Sequence, residues 1–531
     1  MSDKKIQRLL KSYEEVPYFS QAYLQSHPDR LAVLGRLFGL RPALVTNCRV
    51  LELGCASGGN IIPIAYYLPD SRFVGVELTS GHVESAHRTI KDLGLKNIRI
   101  ENENILNIDS SWGKFDYIIC HGVFSWVPEE VQNKIFSIIS ENLSDDGVAY
   151  ISYNTYPGWH MREAIRHMML YHSNQFKDPE QRLGQARGFI NFLSESVAVN
   201  DEDPYGLLLK NEIKSLKNSG DWYVFHDYME VVNLPVYFHQ FMERAEKYGL
   251  QYLAEASFEL MFNHGFSDDV SNTLEQVSQD IIQKEQYMDF LRNRFFRQTL
   301  LCKKEHNLTR TLDAKSMERL LVSSAILPVD ESVDLAKGAM QKFKVSEDKF
   351  IETENPVLKA AFIILRERWP FALSFEDLLD QSINMLNNAG IQNNLSKKEW
   401  EKELGRGLLH SYVLKLTELR TWQGRYMPKV SELPRINDLT LYQIKHSQSV
   451  VNHRHETVNI DQFAEHLILL LDGSNNKKFM LENLTKLAMS RKIILKKYDL
   501  PITDPKKIRK TLEKSINRVL ASLADAALLI S

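Results

Sequence analysis

The chain has 531 residues, which at about 150 residues per domain predicts roughly three or four domains. Its 65 Lys and Arg residues against 68 Asp and Glu residues give a net charge of −3, which argues against a protein that coats nucleic acid. An apolar fraction of 44% and a charged fraction of 25% exclude global disorder. Glycine (24) and proline (17) are scarce, so we expect much helix.

The first residues and the cysteines predict a reducing compartment. No apolar stretch follows Met-Ser-Asp-Lys-Lys, so we expect no secretory signal, and no apolar run approaches the roughly 20 residues of a membrane helix. The cysteines are scattered and form no CxxC pair: Cys48, Cys55, Cys120 and Cys302. This spacing disfavours both a disulfide framework and a structural zinc site, so we expect a cytoplasmic protein.

Short apolar runs alternate with helix-like stretches in the first third of the chain, after a helical segment at 4–40. The runs have the length of buried strands: 48–53, 71–77, 98–101, 115–120 and 148–153. The stretches between them have helical periodicity: 59–68, 82–93 and 129–143. This alternation, at a spacing of about 25–35 residues, predicts βαβ units and a parallel sheet.

The rest of the chain is mostly helical. Residues 159–220 predict helices without a strand. Pro235–Tyr248 predicts a helix closed by Gly249, and Leu250–Glu255 predicts a strand. We expect this helix–strand pair to complete the sheet after the helical insertion.

From about residue 275 amphipathic helix dominates, interrupted by two polar segments. We interpret Asn384–Asn394 as a loop or wing, and Met427–Asp438 as a domain linker. Residues 355–420 predict three helices and a strand at Tyr412–Leu416, a pattern compatible with a winged helix. The tail from about residue 457 is also compatible with one.

A glycine-rich turn follows the first predicted strand, at Glu52–Asn60. It departs from a dinucleotide GxGxxG fingerprint because the glycines stand at Gly54 and Gly58, with Ala56 in the middle slot. An acid before the turn suits a ligand with a positive group or hydroxyls rather than a pyrophosphate. No Lys-Thr or Lys-Ser follows, which excludes a P-loop.

Polar residues also follow the next strands. Glu77 ends the second strand, where a carboxylate accepts both hydroxyls of a ribose. Asn104 and Ile105 follow the third strand, and we expect them to contact the edge and the face of an adenine. His121, after the fourth strand, either lines the same pocket or is a buried, hydrogen-bonded histidine.

This ordered set resembles the class I S-adenosylmethionine-dependent methyltransferases. The features that match are the ExGxxxG turn, the acid that ends strand two, the polar–apolar pair after strand three, and Phe115–Ile119 as strand four. The resemblance implies a doubly wound, Rossmann-like α/β core with a helical insertion and largely α-helical, winged-helix-like C-terminal domains. It also implies S-adenosyl-L-methionine as the cofactor.

Further segments resemble the subgroup that carries a methyltransferase regulatory domain, and within it the bacterial protein-lysine methyltransferases that modify a large outer membrane surface protein. The matching segments are 12–13, 16–18, 27–31, 121–128, 152–159, 225–228, 235–240, 249–255, 452–456 and 470–473. The resemblance implies a lysine acceptor on that surface protein, without a nucleic-acid partner or membrane insertion. His453 and His455 imitate a metal-binding pattern, which we interpret as structural because no further ligand cluster is near.

Two sets of candidate site residues follow. The cofactor-binding candidates are Glu52, Gly54, Cys55, Ala56, Gly58, Asn60, Glu77, Leu78, Asn104, Ile105, His121, Tyr18 and His27. The candidates for shaping the acceptor pocket are Tyr153, Asn154, Tyr156 and Trp126. For Tyr18 and His27, and for the aromatic residues at 153–159, packing alone is the alternative interpretation.

The expected organisation has six parts. They are a helical segment closing the cofactor site (1–42), the methyltransferase core (43–158), a helical insertion that is a candidate dimerisation element (159–220), a regulatory-like region completing the core (221–310), a middle winged-helix-like domain (311–434) and a C-terminal helical domain (435–531). Two other functions stay open: methylation of RNA or a small molecule, and a non-catalytic regulator that senses S-adenosylmethionine.

Overall fold

Seven strands form one mixed sheet at the centre of the molecule. The structure, a computed structural model, describes residues 20–196, 203–217, 219–230, 232–391, 395–497, 500–502 and 504–530. The strands are β1 (Arg49–Leu53), β2 (Arg72–Glu77), β3 (Ile98–Asn102), β4 (Phe115–Cys120), β5 (Leu143–Asn154), β6 (Leu250–Glu255) and β7 (Phe296–Lys303). They lie in the order β3-β2-β1-β4-β5-β7-β6, and β1 to β5 are parallel.

Helices cover both faces of the sheet, which is why its strands read as continuous apolar runs. The helices around it are α1 (Pro28–Leu37), α2 (Ile61–Tyr67), α3 (Ser80–Asp92) and α4 (Glu129–Asn142). Side chains from α1, α2 and α3 pack on one face of the sheet, and side chains from α4 pack on the other. The doubly wound core that the sequence predicts is thereby confirmed.

The helical insertion that follows has a small hydrophobic core of its own. It comprises α5 (Gly158–Ser173), α6 (Pro179–Ser196), α7 (Pro204–Lys217) and the short α8 (Asp221–Tyr223), which continues as a π-helix at Val224–Tyr228. The prediction of helices without a strand at 159–220 agrees with the described residues of this segment.

The chain then returns to the sheet. The elements are α9 (Phe238–Glu246), β6, α10 (Asp268–Val277), α11 (Ile281–Arg292) and β7. β7 inserts between β5 and β6 and runs antiparallel to both. The fully buried Arg297 of β7 fixes this corner, because its guanidinium pairs with Glu255, Glu285 and Asp289.

The middle region shares a core with the α1 face of the sheet. Its elements are β8 (Leu321–Ser323), β9 (Leu327–Pro328), β10 (Gln341–Ser346), β11 (Lys349–Thr353), α12 (Pro356–Arg368), β12 (Leu373–Ser374), α13 (Phe375–Asn388), α14 (Lys397–Val413) and β13 (Glu418–Arg420). A capping box between Ser396 and Glu399 starts α14.

Two predictions for the middle region are wrong. The strand expected at Tyr412–Leu416 is not there, because α14 continues to Val413 and a left-handed residue, Lys415, ends the turn before β13. The polar segment at 384–394 is not a loop throughout, because α13 extends to Asn388. Its last residues, 392–394, lie outside the described residues.

The C-terminal domain has a separate core. It comprises α15 (Asp438–Ile444), β14 (Ser449–Val451), β15 (Thr457–Asn459), α16 (Gln462–Ile468), α17 (Lys477–Met489), β16 (Lys496–Lys497), β17 (Leu500–Pro501) and α18 (Pro505–Asp525). The irregular segment before α15 packs against this domain, since Arg435 and Ile436 bridge to Asp472 and Leu529. It is therefore more ordered than the linker predicted there.

None of the four cysteines forms a disulfide, and all four are buried. Within the described residues, we find no helix that combines the length and the apolar character needed to span a bilayer.

Candidate active site

A cleft opens at the carboxyl ends of the parallel strands. It contains about 1140 Å³ of empty space, part of which is open to solvent. β1 lies between β2 and β4, so the chain order reverses there, which is where doubly wound sheets bind ligands. The cleft is large enough for a nucleoside with a further side chain.

The turn after β1 brings backbone to the wall of the cleft. Gly54, Ala56 and Gly58 all have positive φ, at 71°, 47° and 80°. The positive φ at position 58 favours glycine, and a Cβ on Gly58 would in addition lie 2.5 Å from the Cδ1 of Ile62. Gly54, Cys55 and Ala56 line the cleft, whereas Gly58 lies behind it.

Glu77, at the end of β2, is held by the neighbouring backbone. Its Oε2 accepts the N–H of Ala56 at 3.0 Å, and its Oε1 accepts the N–H of Thr79 at 2.9 Å. Burial alone would raise the pKa of Glu77, but the nearby His82 ring and the Thr79 hydrogen bond outweigh it and lower the pKa. Glu77 is therefore an ionised acceptor on the cleft wall.

Glu52, near the end of β1, lies in a different environment. Its Oε1 accepts a hydrogen bond from Nδ2 of Asn60 at 2.7 Å, and its buried Oε2 has no hydrogen-bond partner. Burial raises the pKa of Glu52 to about 8. A residue that lines the cleft and carries an unpaired carboxyl oxygen suits a ligand with a positive group, because that group would offset the burial of the carboxylate.

A histidine and a tyrosine form the wall beside β4. The rings of Tyr23 and His121 stack with centroids 3.6 Å apart. His121 Nδ1 lies 2.8 Å from the hydroxyl of Tyr150, and burial lowers the pKa of His121 to about 3. His121 is therefore a neutral, fixed ring, and it both lines the cleft and is hydrogen-bonded.

The end of β3 adds a further wall. Asn104 and Ile105 both line the cleft. The side-chain oxygen of Asn104 accepts the N–H of Leu106 at 3.0 Å and so caps a short turn. Ile105 presents an apolar surface next to it. The sequence predicts this combination, with Asn104 at the edge of the base and Ile105 on its face.

Three family models match separate parts of the chain. Residues 50–147 match a methyltransferase domain, residues 220–303 match a predicted methyltransferase regulatory domain, and residues 432–528 match the PKMT C-terminal winged helix domain. The first match contains β1 to β4 with the cleft between them, and the last contains β14 to β17.

Two relatives come from Rickettsia prowazekii (strain Madrid E). The uncharacterized protein RP789 is 36% identical over 525 residues, which are 98% of this chain and 93% of the relative. The uncharacterized protein RP028 is 41% identical over 236 residues, which are 44% of this chain and 94% of the relative. The chain belongs to the same family as RP789.

A solved structure extends the likeness to the whole fold. PKMT2 from Rickettsia typhi, in complex with AdoHcy, superposes with a TM-score of 0.86 at 29% identity, over 97% of this chain and 100% of that one. The chain belongs to the class I S-adenosylmethionine-dependent methyltransferases. The cofactor of this methyltransferase is accordingly S-adenosylmethionine.

The cleft of the methyltransferase fits this cofactor. Glu77 would supply an ionised acceptor for ribose hydroxyls, and Glu52, whose Oε2 is unpartnered, would supply a partner for the amino group of the methionine part. Asn104 and Ile105, which line the cleft, would contact the adenine. Among the residues that the structure describes, no three His, Cys, Asp or Glu side chains are grouped to hold a metal ion.

Most of the predicted cofactor residues come together in the cleft. Those on its wall are Glu52, Gly54, Cys55, Ala56, Asn60, Glu77, Leu78, Asn104, Ile105 and His121. His27 does not line it, because its buried Nδ1 accepts the N–H of Asp29 and caps α1. Tyr18 lies outside the described residues.

Of the four predicted acceptor residues, the structure brings only Trp126 to the cleft wall. Tyr153 lies in the core, where its ring stacks on Phe241 at 4.1 Å and its hydroxyl lies 3.0 Å from Thr299. The reason is that its ring lies on the face of the sheet where Phe241 of α9 packs.

Asn154 and Tyr156 do not line the cleft. The backbone N–H of Asn154 donates to Ser125, the neighbour of Trp126, and its side chain donates to Asn233. The ring of Tyr156 stacks on His160 at 4.0 Å, and its hydroxyl donates to Glu163. Their contacts are with protein groups and not with the cleft.

Sequence reasoning did not single out several residues on the wall. They are Ser20, Tyr23, Val76, Thr79, His82, Glu103, Gly122, Val123, Val127, Pro128 and Val131. Thr79 and His82 could have been predicted from the local sequence, because they follow Glu77 at the start of α3. Ser20 gave no such signal, although its hydroxyl accepts the N–H of Gly59 at 2.7 Å.

Proposed function

We propose that this methyltransferase transfers a methyl group from S-adenosylmethionine to lysine side chains of a large bacterial outer membrane surface protein. The observation that carries the proposal is the likeness to PKMT2 over 97% of the chain. The match of residues 432–528 to the PKMT winged helix domain supports it independently.

The chemistry demands little acid–base machinery but a well-placed neutral amine. S-adenosylmethionine supplies a methyl group on a sulfonium, which the acceptor nitrogen attacks in line. A lysine with a pKa near 10.4 must lose its proton first, which costs about 4 kcal/mol at pH 7.4. An apolar acceptor pocket would lower this cost, because burial disfavours the charged amine.

Trp126 is the aromatic residue that we assign to the acceptor side. It lines the cleft and packs edge-on against the buried Trp159, with ring centroids 6.2 Å apart. An indole face attracts a methylammonium product by about 1–2 kcal/mol when it is desolvated. Asn154 then supports this wall through Ser125 rather than touching the acceptor, and Tyr156 has no assigned role toward the acceptor.

The helical insertion is our candidate for dimerisation. It leaves large apolar side chains in water: Tyr171 is 87% exposed, Phe192 60% and Tyr205 48%. Such side chains, spread over α5, α6 and α7, are what a second copy would cover. Light scattering on the full-length protein tests this, and a monomeric mass would refute it.

We also propose a cytoplasmic location. Four unpaired, buried thiols are typical of a reducing compartment. Recovery of the protein with the periplasmic fraction of its host would contradict this.

The test of the acceptor uses methyl-labelled S-adenosylmethionine, the purified protein and a native extract. Label that survives protein hydrolysis as methyl-lysine in an outer membrane protein would support the proposal. Label in RNA or in small molecules would replace it with the first alternative. No label, with cofactor binding intact, would favour a regulator that only senses S-adenosylmethionine.

A further inference from the structure

In the C-terminal domain, β14 and β15 form a hairpin whose turn is held by hydrogen bonds between its own side chains. The side-chain amide of Asn452 donates to the Glu456 carboxylate at 2.7 Å, and the Arg454 guanidinium donates to the same oxygen at 2.8–2.9 Å. His455 occupies the left-handed region, with φ of 62°. The turn thus holds His455 in a backbone conformation that a histidine rarely adopts.

This turn reaches the floor of the cofactor cleft. His455 Nε2 lies 2.8 Å from Oδ1 of Asn60, although the two residues are 395 positions apart in the sequence. His455 is 1% exposed, and burial lowers its pKa to about 3, so the ring is neutral. Oδ1 of Asn60 also accepts the N–H of Tyr23, so it is an acceptor and His455 must donate to it from Nε2.

The same side chain of Asn60 is hydrogen-bonded to Glu52, the acid near the end of β1. Its Nδ2 donates to Oε1 of Glu52 at 2.7 Å. Donors from the N-terminal segment and from the C-terminal domain therefore meet on one amide, and that amide orients Glu52. Without His455, the buried Oδ1 loses one of its two short donors, and the side chain of Asn60 becomes freer to rotate away from Glu52.

The rest of the interface holds the turn in this place without touching Asn60. The hydroxyl of Tyr67 donates to the carbonyl of Val451 at 2.8 Å and accepts from the side chain of Asn437 at 3.2 Å. The ring of His453 packs on the ring of Tyr67 with centroids 4.0 Å apart. His453 and His455 thus lie on the same turn but contact different residues. A substitution of His453 is therefore a control for a substitution of His455.

We propose that His455 is a positioning residue of the S-adenosylmethionine site, through which docking of the C-terminal domain and cofactor binding strengthen each other. The relay runs from His455 through Asn60 to Glu52. By linkage, a bound ligand that uses Glu52 must in turn stabilise the docked hairpin. The inference rests on the cofactor site and is independent of the proposed lysine acceptor.

The test measures the affinity of the full-length protein for S-adenosylhomocysteine by calorimetry. His455→Asn tolerates the positive φ but is too short to reach Asn60, and it should weaken binding about 10-fold. His455→Gln places an amide nitrogen near the former Nε2 and should restore binding to within threefold. His453→Phe keeps the ring packing on Tyr67 and should leave binding within twofold.

Three results would overturn the proposal. They are unchanged binding by His455→Asn, binding by His455→Gln as weak as by His455→Asn, and equal weakening by His453→Phe. Thermal unfolding without ligand checks that the variants are folded.

A second measurement needs no variant. In the wild-type protein, S-adenosylhomocysteine should slow amide hydrogen exchange at residues 452–456, because the ligand and the docked hairpin stabilise each other. Unchanged exchange there would show that the coupling does not exist.

Discussion

Glu52 and Glu77, two of the acids on the cleft wall, stand at or near the ends of neighbouring parallel strands and yet differ in charge. Glu77 accepts two backbone N–H groups, and its pKa lies below the usual value. Glu52 has one amide donor and an unpartnered oxygen, and burial raises its pKa to about 8. The sheet determines where both acids stand, whereas the donors around each determine its charge.

The donors also differ in origin. Those of Glu77 come from the adjoining turns, from Ala56 and Thr79. The donor of Glu52 is Asn60, which is itself held by Tyr23 and by His455 of the C-terminal domain. The hydrogen bonds of Glu77 therefore come from the turns that follow β1 and β2. Those of Glu52 depend on residues from distant parts of the chain.

The largest effect that distinguishes the two acids concerns pH and stability. The folded protein keeps a proton on Glu52 that the unfolded chain loses, so its contribution to stability falls as pH rises from about 4.5 to about 8. Glu52→Gln removes this penalty and should stabilise the ligand-free protein by up to about 5 kcal/mol above pH 8, with no gain below pH 4.5. Chemical denaturation at several pH values measures it, and an equal effect at all pH values would contradict a raised pKa.

Removing the charge of Glu77 should lower the affinity for the ligand. Glu77→Gln should weaken S-adenosylhomocysteine binding about 100-fold, because an ionised acceptor of two hydroxyls becomes a neutral amide. Glu84→Gln, which changes an exposed carboxylate on α3, should leave binding unchanged. Calorimetry on both variants checks this, and a loss below threefold for Glu77→Gln would mean that Glu77 does not hold the ribose.

A smaller effect is expected at Trp126, which lines the cleft after β4. Trp126→Ala should lower kcat/KM for the protein acceptor about 10-fold while S-adenosylhomocysteine affinity changes less than threefold. Initial rates with labelled cofactor separate the two quantities. A loss confined to cofactor affinity would move Trp126 from the acceptor side to the cofactor side.

The smallest effect is expected for the ring of Tyr23, which lines the cleft beside β4. Tyr23→Ala removes the stacking on His121 and should weaken S-adenosylhomocysteine binding about fivefold. Tyr23→Phe keeps the ring and the backbone N–H to Asn60, so it should bind close to wild type. Equal losses in both variants would show that the ring is not what matters there.

Local sequence was enough to predict the parts of the fold that depend on neighbours in the chain. The alternation of strands and helices, the turn after β1 and the acid that ends β2 are patterns of a few residues each. The same reasoning failed where a distant segment decides the surroundings. Tyr153 became a core residue because Phe241 of α9, 88 residues later in the chain, packs on its ring.

The same limit applies to the cofactor site. The sequence predicts Glu52 and Asn60 within one turn, but nothing near them indicates that His455 completes their hydrogen bonds. His27 is a buried helix cap, not a cofactor contact, because the chain turns into α1 at that residue. Contacts between segments far apart in sequence are set by tertiary packing, which local patterns do not report.

The most direct test of the central claim is proton release on ligand binding. At pH 7 a Glu52 with a pKa of about 8 carries a proton in the free protein, and a cationic amino group beside it should expel that proton. Titration of S-adenosylhomocysteine in buffers of different ionisation enthalpy should show close to one proton released by the wild type and none by Glu52→Gln. Equal proton release by both proteins, or none by the wild type, would contradict the account of the two acids.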